Sequence, residues 1–159
     1  MRLETATDND CVAASLAMLF DMNSAHIREA LFSSPLQYPF QKPWGEMPKV
    51  PSMEEIVAWA YRKQRTGLVP FPFHPHCSPH PNCPGVPVWP DDDPNEVFEG
   101  QLSHGKGVIE GVITSTAKGH MVAWDGAVIY DPRGYMYSLN VANKFDFSPS
   151  RFWLAVEAK

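Results

Sequence analysis

The chain has 159 residues, 44% of them hydrophobic and 12% aromatic, enough for one sizeable core and too few for two ordinary domains, so positions 1–159 read as a single globular domain. A net charge of −5, from 13 basic and 18 acidic residues with no Lys/Arg block, excludes an electrostatic footprint for a phosphate backbone, and nucleic acid is not an expected partner. The N-terminal stretch has neither a signal-peptide pattern nor a run long enough to span a bilayer, and 3 cysteines, an odd number, fit reduced thiols; a cytoplasmic protein without a membrane partner is expected.

The first predicted helix runs from about Asp10 to Phe20 and is apolar almost all round, through Val12, Leu16, Leu19 and Phe20. Such a helix is central and buried. Cys11 falls in its first turn, directly after Asp8-Asn9-Asp10. Free N–H groups and the positive end of the helix dipole stabilise a thiolate in such a place, so Cys11 is a candidate nucleophile; an inert core thiol is the competing reading. Ser24 can cap a second short helix through Ile27, Ala30 and Leu31, before Ser34-Pro35 and further prolines impose irregular chain up to Pro51. Ser52-x-x-Glu55 is a capping box, and Ile56, Trp59 and Ala60 follow at helical spacing toward about Gln64.

A Pro/His/Cys-rich insert at about 67–92 is expected to be extended and irregular. Within it, His74-Pro-His76-Cys77-Ser-Pro-His80-Pro-Asn-Cys83 contains the ligand types of a tetrahedral Cys₂His₂ zinc site: Cys77, Cys83, His80 and either His74 or His76. The spacing matches no standard finger, so no cofactor is required and zinc stands beside a plainer alternative, a loop shaping a cleft or partner surface through Phe71, Phe73 and Trp89. Asp93-Pro94 then reads as N-cap and first residue of a helix carrying Val97, Phe98 and Leu102, ending near Gly105.

The last third changes to strand-like runs: Gly107 to Thr114, His120 to Trp124, Ala127 to Asp131, and Arg151 to Glu157. Helices first and an antiparallel sheet afterwards predict an α+β domain. Asp125-Gly126 is a strong two-residue hairpin signal, and a turn there pairs Trp124 with Ala127, Val122 with Ile129 and His120 with Asp131. Opposed residues share a face with Cβ atoms about 4.5–5.5 Å apart. His120 and Asp131 can therefore hydrogen-bond, filling the base and orienting roles that a Cys11 nucleophile needs.

Asn9-Asp10-Cys11 with its Ala-rich helix, Gly119-His120-Met-Val-Ala-Trp, and Ile129-Tyr-Asp131-Pro-Arg-Gly134 resemble the papain-like cysteine peptidases that remove double-glycine leaders from bacteriocins, and their stand-alone relatives. The resemblance implies a papain-like fold, with Cys11 as nucleophile, His120 as general base and acid, and Asp131 orienting the imidazole. The family carries a Gln about six residues before the Cys as an oxyanion-hole donor, where this chain has Thr5; Thr5, Thr7 or Asn9, beside the Cys11 N–H, are the candidates to replace it. Val12 stands where the family has Gly. A cysteine peptidase cleaving a peptide or isopeptide bond in a peptide or protein substrate is the leading expectation. The alternatives are a catalytically silent domain that binds a protein, or an amidase, deamidase or acyl transferase using the same residues.

Overall fold

A computed structural model describes residues 1–6, 10–32, 50–71, 74–81, 83, 85–94, 96, 103–126 and 128–157. Helix α1 spans Cys11–Phe20, α2 Ser24–Leu31 and α3 Met53–Gln64. All three form where local signals ask for them. The capping box closes as expected, Ser52 Oγ accepting from Glu55 N at 3.2 Å. At α2 the cap is Asn23 rather than Ser24, its Oδ1 accepting from Ala25 N at 2.8 Å, which leaves Ser24 as the first helical residue. Among the described residues no helix is long and apolar enough to cross a membrane.

The strands are β1 (Thr66–Pro70), β2 (Ser78–Pro79), β3 (Pro87–Val88), β4 (Lys106–Ile113), β5 (Lys118–Asp125), β6 (Val128–Asp131), β7 (Tyr135–Ser138) and β8 (Phe147–Glu157), with a 3-10 helix at Leu139–Phe145. Six of them make one antiparallel sheet in the order β1-β8-β4-β5-β6-β7, while β2 and β3 pair separately. The molecule is thus α+β, mixed helix and antiparallel sheet. The sheet begins earlier than expected: Thr66–Pro70, predicted irregular from Gly67 onward, is an edge strand paired with β8 from Thr66↔Glu157 to Pro70↔Trp153. A proline at the end of an edge strand removes no ladder bond that a neighbour needs. The helix expected from Asp93 to Gly105 lies largely outside the described residues.

Both faces of the sheet are covered. On one, α1 to α3 bury Leu16, Ile27 and Ile56 against Val108, Met121 and Trp153. On the other, Cys83, Val86 and Val88 of the insert join Leu139 and Ala142 over Trp124, Ile129, Phe147 and Phe152. The insert is therefore part of the core. Helix α1 is keyed to the sheet by a buried bond from Ser15 Oγ to Met121 O at 3.0 Å.

Two irregularities shape the middle of the sheet. Between Glu110 and Gly111 the β4–β8 register shifts, and Gly111 pairs with Pro149. A bulge is where a central strand tolerates a proline, and a Cβ on Gly111 would lie 2.3 Å from Ser148 O. The second concerns the β5–β6 hairpin, whose expected register is corrected. Asp125 pairs with Val128, Trp124 with Ile129 and Ala123 with Tyr130. Asp125 stays in the ladder because it pairs with Lys106 on β4, and Gly126, at φ +64, takes the turn while its N–H donates to Gly105 O at 2.8 Å. Moving the turn by one residue moves each cross-strand partner by two. Side chains alternate with a period of two, so His120 and Asp131 become diagonal neighbours without changing face.

Candidate active site

Cys11 is the first residue of α1 and is 8% exposed. Its N-cap, Asp10, makes no side-chain capping bond; the Asp10 carboxylate pairs with Arg28 of α2 instead. The sulfur therefore sits at a helix start that the Asp10 side chain leaves uncapped, where the backbone favours negative charge.

His120 comes from β5 beyond the last residue paired with β6, on the face of Val122 and Trp124, and its ring packs edge-on against Phe147 at 5.6 Å. Nε2–H donates to Asp131 Oδ1 at 2.8 Å, and the Cys11 thiol is the second side-chain hydrogen-bond partner of the ring. Each ring nitrogen has one in-plane bonding direction, so with Nε2 engaged, Nδ1 is the nitrogen that meets Cys11. Groups from the helical layer and from the opposite face of the sheet thus come together where β5 outruns β6.

Asp131 is completely buried. Besides His120 it receives Arg133 N (2.9 Å) on Oδ1, and Arg133 Nη2 (2.8 Å) and Tyr137 Oη (2.7 Å) on Oδ2. Burial opposes charge on this carboxylate, but the bonds from His120, Arg133 and Tyr137 outweigh it and hold the group well below the usual carboxylate range. Burial likewise opposes charge on His120; the Asp131 bond, then the Cys11 bond and the negative charge of both partners, outweigh it and push the imidazole up to about 9. Burial and the Asp131 charge push the Tyr137 hydroxyl above its ordinary range, so it remains a donor. At neutral pH the carboxylate is an anion and the imidazole a cation. Arg133 and Tyr137 went unnoticed in the sequence; Arg133 stood inside the quoted Asp-Pro-Arg-Gly run, whereas nothing local marked Tyr137.

The thiol end opens on a cleft of about 530 Å³ lined by Cys11, Val12, Ser52, Met53, Gly119 and His120 among others. A Cβ added to Gly119 would meet nothing within 4 Å, so this stretch of the cleft wall is open. An adjoining depression of about 750 Å³, walled by Val57, Leu68 and Trp153, shares Ser52, Met53 and Glu110 with the cleft. Glu110, also unforeseen, accepts from Trp153 Nε1 at 2.7 Å at the junction.

The oxyanion candidates fare differently. Thr5 is not among the residues lining the cleft; its Cγ2 lies 3.8 Å from where a Gly134 Cβ would be, and the next residue, Ala6, donates its N–H to Pro132 O at 2.8 Å. Thr7 and Asn9 lie outside the described residues.

The zinc candidates are not brought together. Among the described residues no group of three or more His, Cys, Asp or Glu side chains converges to hold a metal. Cys83 is in the core, donating to Leu139 O at 3.2 Å, and burial pushes its thiol up to about 12, far from the thiolate that zinc takes. His80 Nε2–H donates to Pro94 O at 3.0 Å, and burial, outweighing that bond, lowers its pKa. His74 lies against Trp89 and His76 with ring centroids 4.8 Å and 5.1 Å apart, and Cys77 is part-exposed. Compared with protein-family models, curated proteins and solved structures, the chain matches none.

Proposed function

We propose that the chain is a thiol hydrolase of papain-like fold, a cysteine peptidase that cleaves a peptide or isopeptide bond with Cys11 as nucleophile, His120 as general acid and base, and Asp131 orienting the imidazole. One observation carries this reading: His120 bonds a fully buried carboxylate through one nitrogen and Cys11 at a helix start through the other, with the sulfur end facing an open cleft. Cys11 Sγ attacks the substrate carbonyl carbon, forming the S–C bond as the π pair moves onto oxygen. The imidazolium then gives its Nδ1 proton to the leaving nitrogen as the C–N bond breaks. In the second half a water yields a proton to Nδ1 and attacks the thioester, which releases the acid and restores the thiolate. The oxyanion is stabilised by the N–H groups at the start of α1. The adjoining depression favours an extended substrate over a compact one.

One finding favours a second reading. Thr5, the residue at the position of the family's glutamine, is held beside Gly134 and does not line the cleft, and loss of such a donor costs about 10²–10³ in rate. A catalytically silent protein-binding domain would fit it. The pH dependence of Cys11 alkylation by iodoacetamide, with and without His120→Ala, decides between the two. Rapid alkylation at pH 7 that slows about tenfold or more in the variant is expected of the hydrolase. Equal, slow rates in both proteins would sink it and leave the binding domain.

A further inference from the structure

The Asp131 carboxylate is held at both oxygens. Oδ1 takes His120 Nε2–H together with Arg133 N at 2.9 Å and Arg133 Nε at 3.2 Å, and Oδ2 takes the Tyr137 hydroxyl at 2.7 Å, Arg133 Nη2 at 2.8 Å and Arg133 Nε at 3.2 Å. Both holders are themselves fixed. Arg133 Nη2 also donates to Phe145 O, at 2.6 Å, and the Tyr137 ring stacks on Phe145 with centroids 4.3 Å apart and planes 7° from parallel. A carboxylate swings readily about its last torsion, so an anion beside a histidine does not by itself present an oxygen to it.

We propose that Arg133 and Tyr137 are positioning residues of the candidate triad, gripping the Asp131 carboxylate, Arg133 across both oxygens and Tyr137 on Oδ2, so that Oδ1 faces His120 Nε2–H and Nδ1 stays turned to Cys11. This inference rests on the hydrolase reading for its purpose, but its geometry stands without it. The line of contacts runs from the Arg133 guanidinium through the Asp131 carboxylate and the His120 ring to the Cys11 sulfur. Arg133 is 21% exposed at its side chain, against 0% for Asp131, so it brings a cation in from the surface while keeping the carboxylate dry. A lysine could supply the charge without the fork that reaches both Asp131 and Phe145.

The charged and titratable groups around His120 are Cys11 from α1, Glu110 from β4, Lys118 on β5 itself, Asp131 from β6, Arg133 from the following turn and Tyr137 from β7. Pure charge and positioning make opposite forecasts. If Arg133 acted only as a nearby cation, removing it would ease protonation of His120 and raise its titration midpoint. If Tyr137 only stabilised the carboxylate, removing its hydroxyl would leave Asp131 more basic and have the same sign. A released carboxylate that swings off His120 lowers the midpoint instead.

The experiment follows the His120 imidazole signals by NMR against pH in the wild type, Tyr137→Phe, Arg133→Gln and Arg133→Lys. A fall of about 1 unit is expected in all three variants. An unchanged or raised midpoint in Tyr137→Phe, or a wild-type midpoint in Arg133→Lys, would overturn the proposal. Tyr137→Phe retains the ring stacked on Phe145, so it keeps the test open should an Arg133 variant fail to fold. Failure of the hydrolase reading registers elsewhere, as slow alkylation of wild-type Cys11.

Discussion

His120 and His80 are both buried imidazoles bonded through Nε2, yet one meets the Asp131 carboxylate and the other the Pro94 carbonyl. Cys11 and Cys83 differ in the same way: one thiol bonds a charged ring at the edge of a cleft, the other a main-chain carbonyl in the core. The insert has the higher density of reactive residue types, and the candidate site is built instead from residues scattered over 120 positions, from Cys11 to Asp131. Chemistry follows the partner. A carbonyl can satisfy a neutral donor but cannot hold a cation against burial, so His80 is lowered and His120 raised.

The largest expected effect that could break this contrast is on hydrolysis. Once a substrate is found by peptide-library screening, Cys11→Ala should lower kcat/KM by about 10⁴ or more, whereas Cys83→Ser should leave it within about twofold. Equal losses would put both thiols in one role. Next comes the alkylation of Cys11 at pH 7, which His120→Ala slows about tenfold and His80→Ala leaves alone. His80→Ala should show itself in urea denaturation, costing about 1–3 kcal/mol because Pro94 O loses its buried donor.

Stability against pH sharpens the contrast further, since the two imidazoles have opposite slopes. His120 is raised from 6.5 to about 9, so its contribution is complete below pH 6.5 and disappears as pH rises through about 9. His80 is lowered from 6.5, so its contribution is present above pH 6.5 and disappears as pH falls through its folded-state value. Asp131, lowered as well, contributes above the unfolded carboxylate value of about 3.9, a benefit lost in stronger acid. Denaturation midpoints from pH 5 to pH 10 should therefore lose their alkaline decline in His120→Gln and part of their acidic decline in His80→Gln. The smallest expected effect is that of a chelator: treatment with EDTA should leave the melting temperature within about 1 °C, since the insert residues are held by main-chain and ring contacts. A fall in melting temperature, reversed by zinc, would mean that the insert does hold metal.

The helices were legible because their signals are local: an apolar run, a capping box at Ser52, a polar cap one residue from the one expected. The pairing of His120 with Asp131 was legible in face but not in register, because the position of the turn depends on Lys106 holding Asp125, a constraint from a strand 19 residues earlier. Strand β1 was hidden since Gly67 and Pro70 read as breakers, and the strand it pairs with, β8, is at the far end of the chain. The Asp131 clamp shows the same division. Arg133 is a sequence neighbour, while Tyr137 reaches the carboxylate only after β7 has folded back on β6.

The hydroxyl of Ser15 lies one helical turn after Cys11, and the carbonyl it holds belongs to Met121, the residue after His120. Cys11 and His120 are consequently mounted on a single joint between a helix and a strand. Their separation is a manufacturing tolerance of the fold, set before any substrate arrives. A loosened joint, as in Ser15→Ala, would blur that spacing while leaving every reacting atom in place.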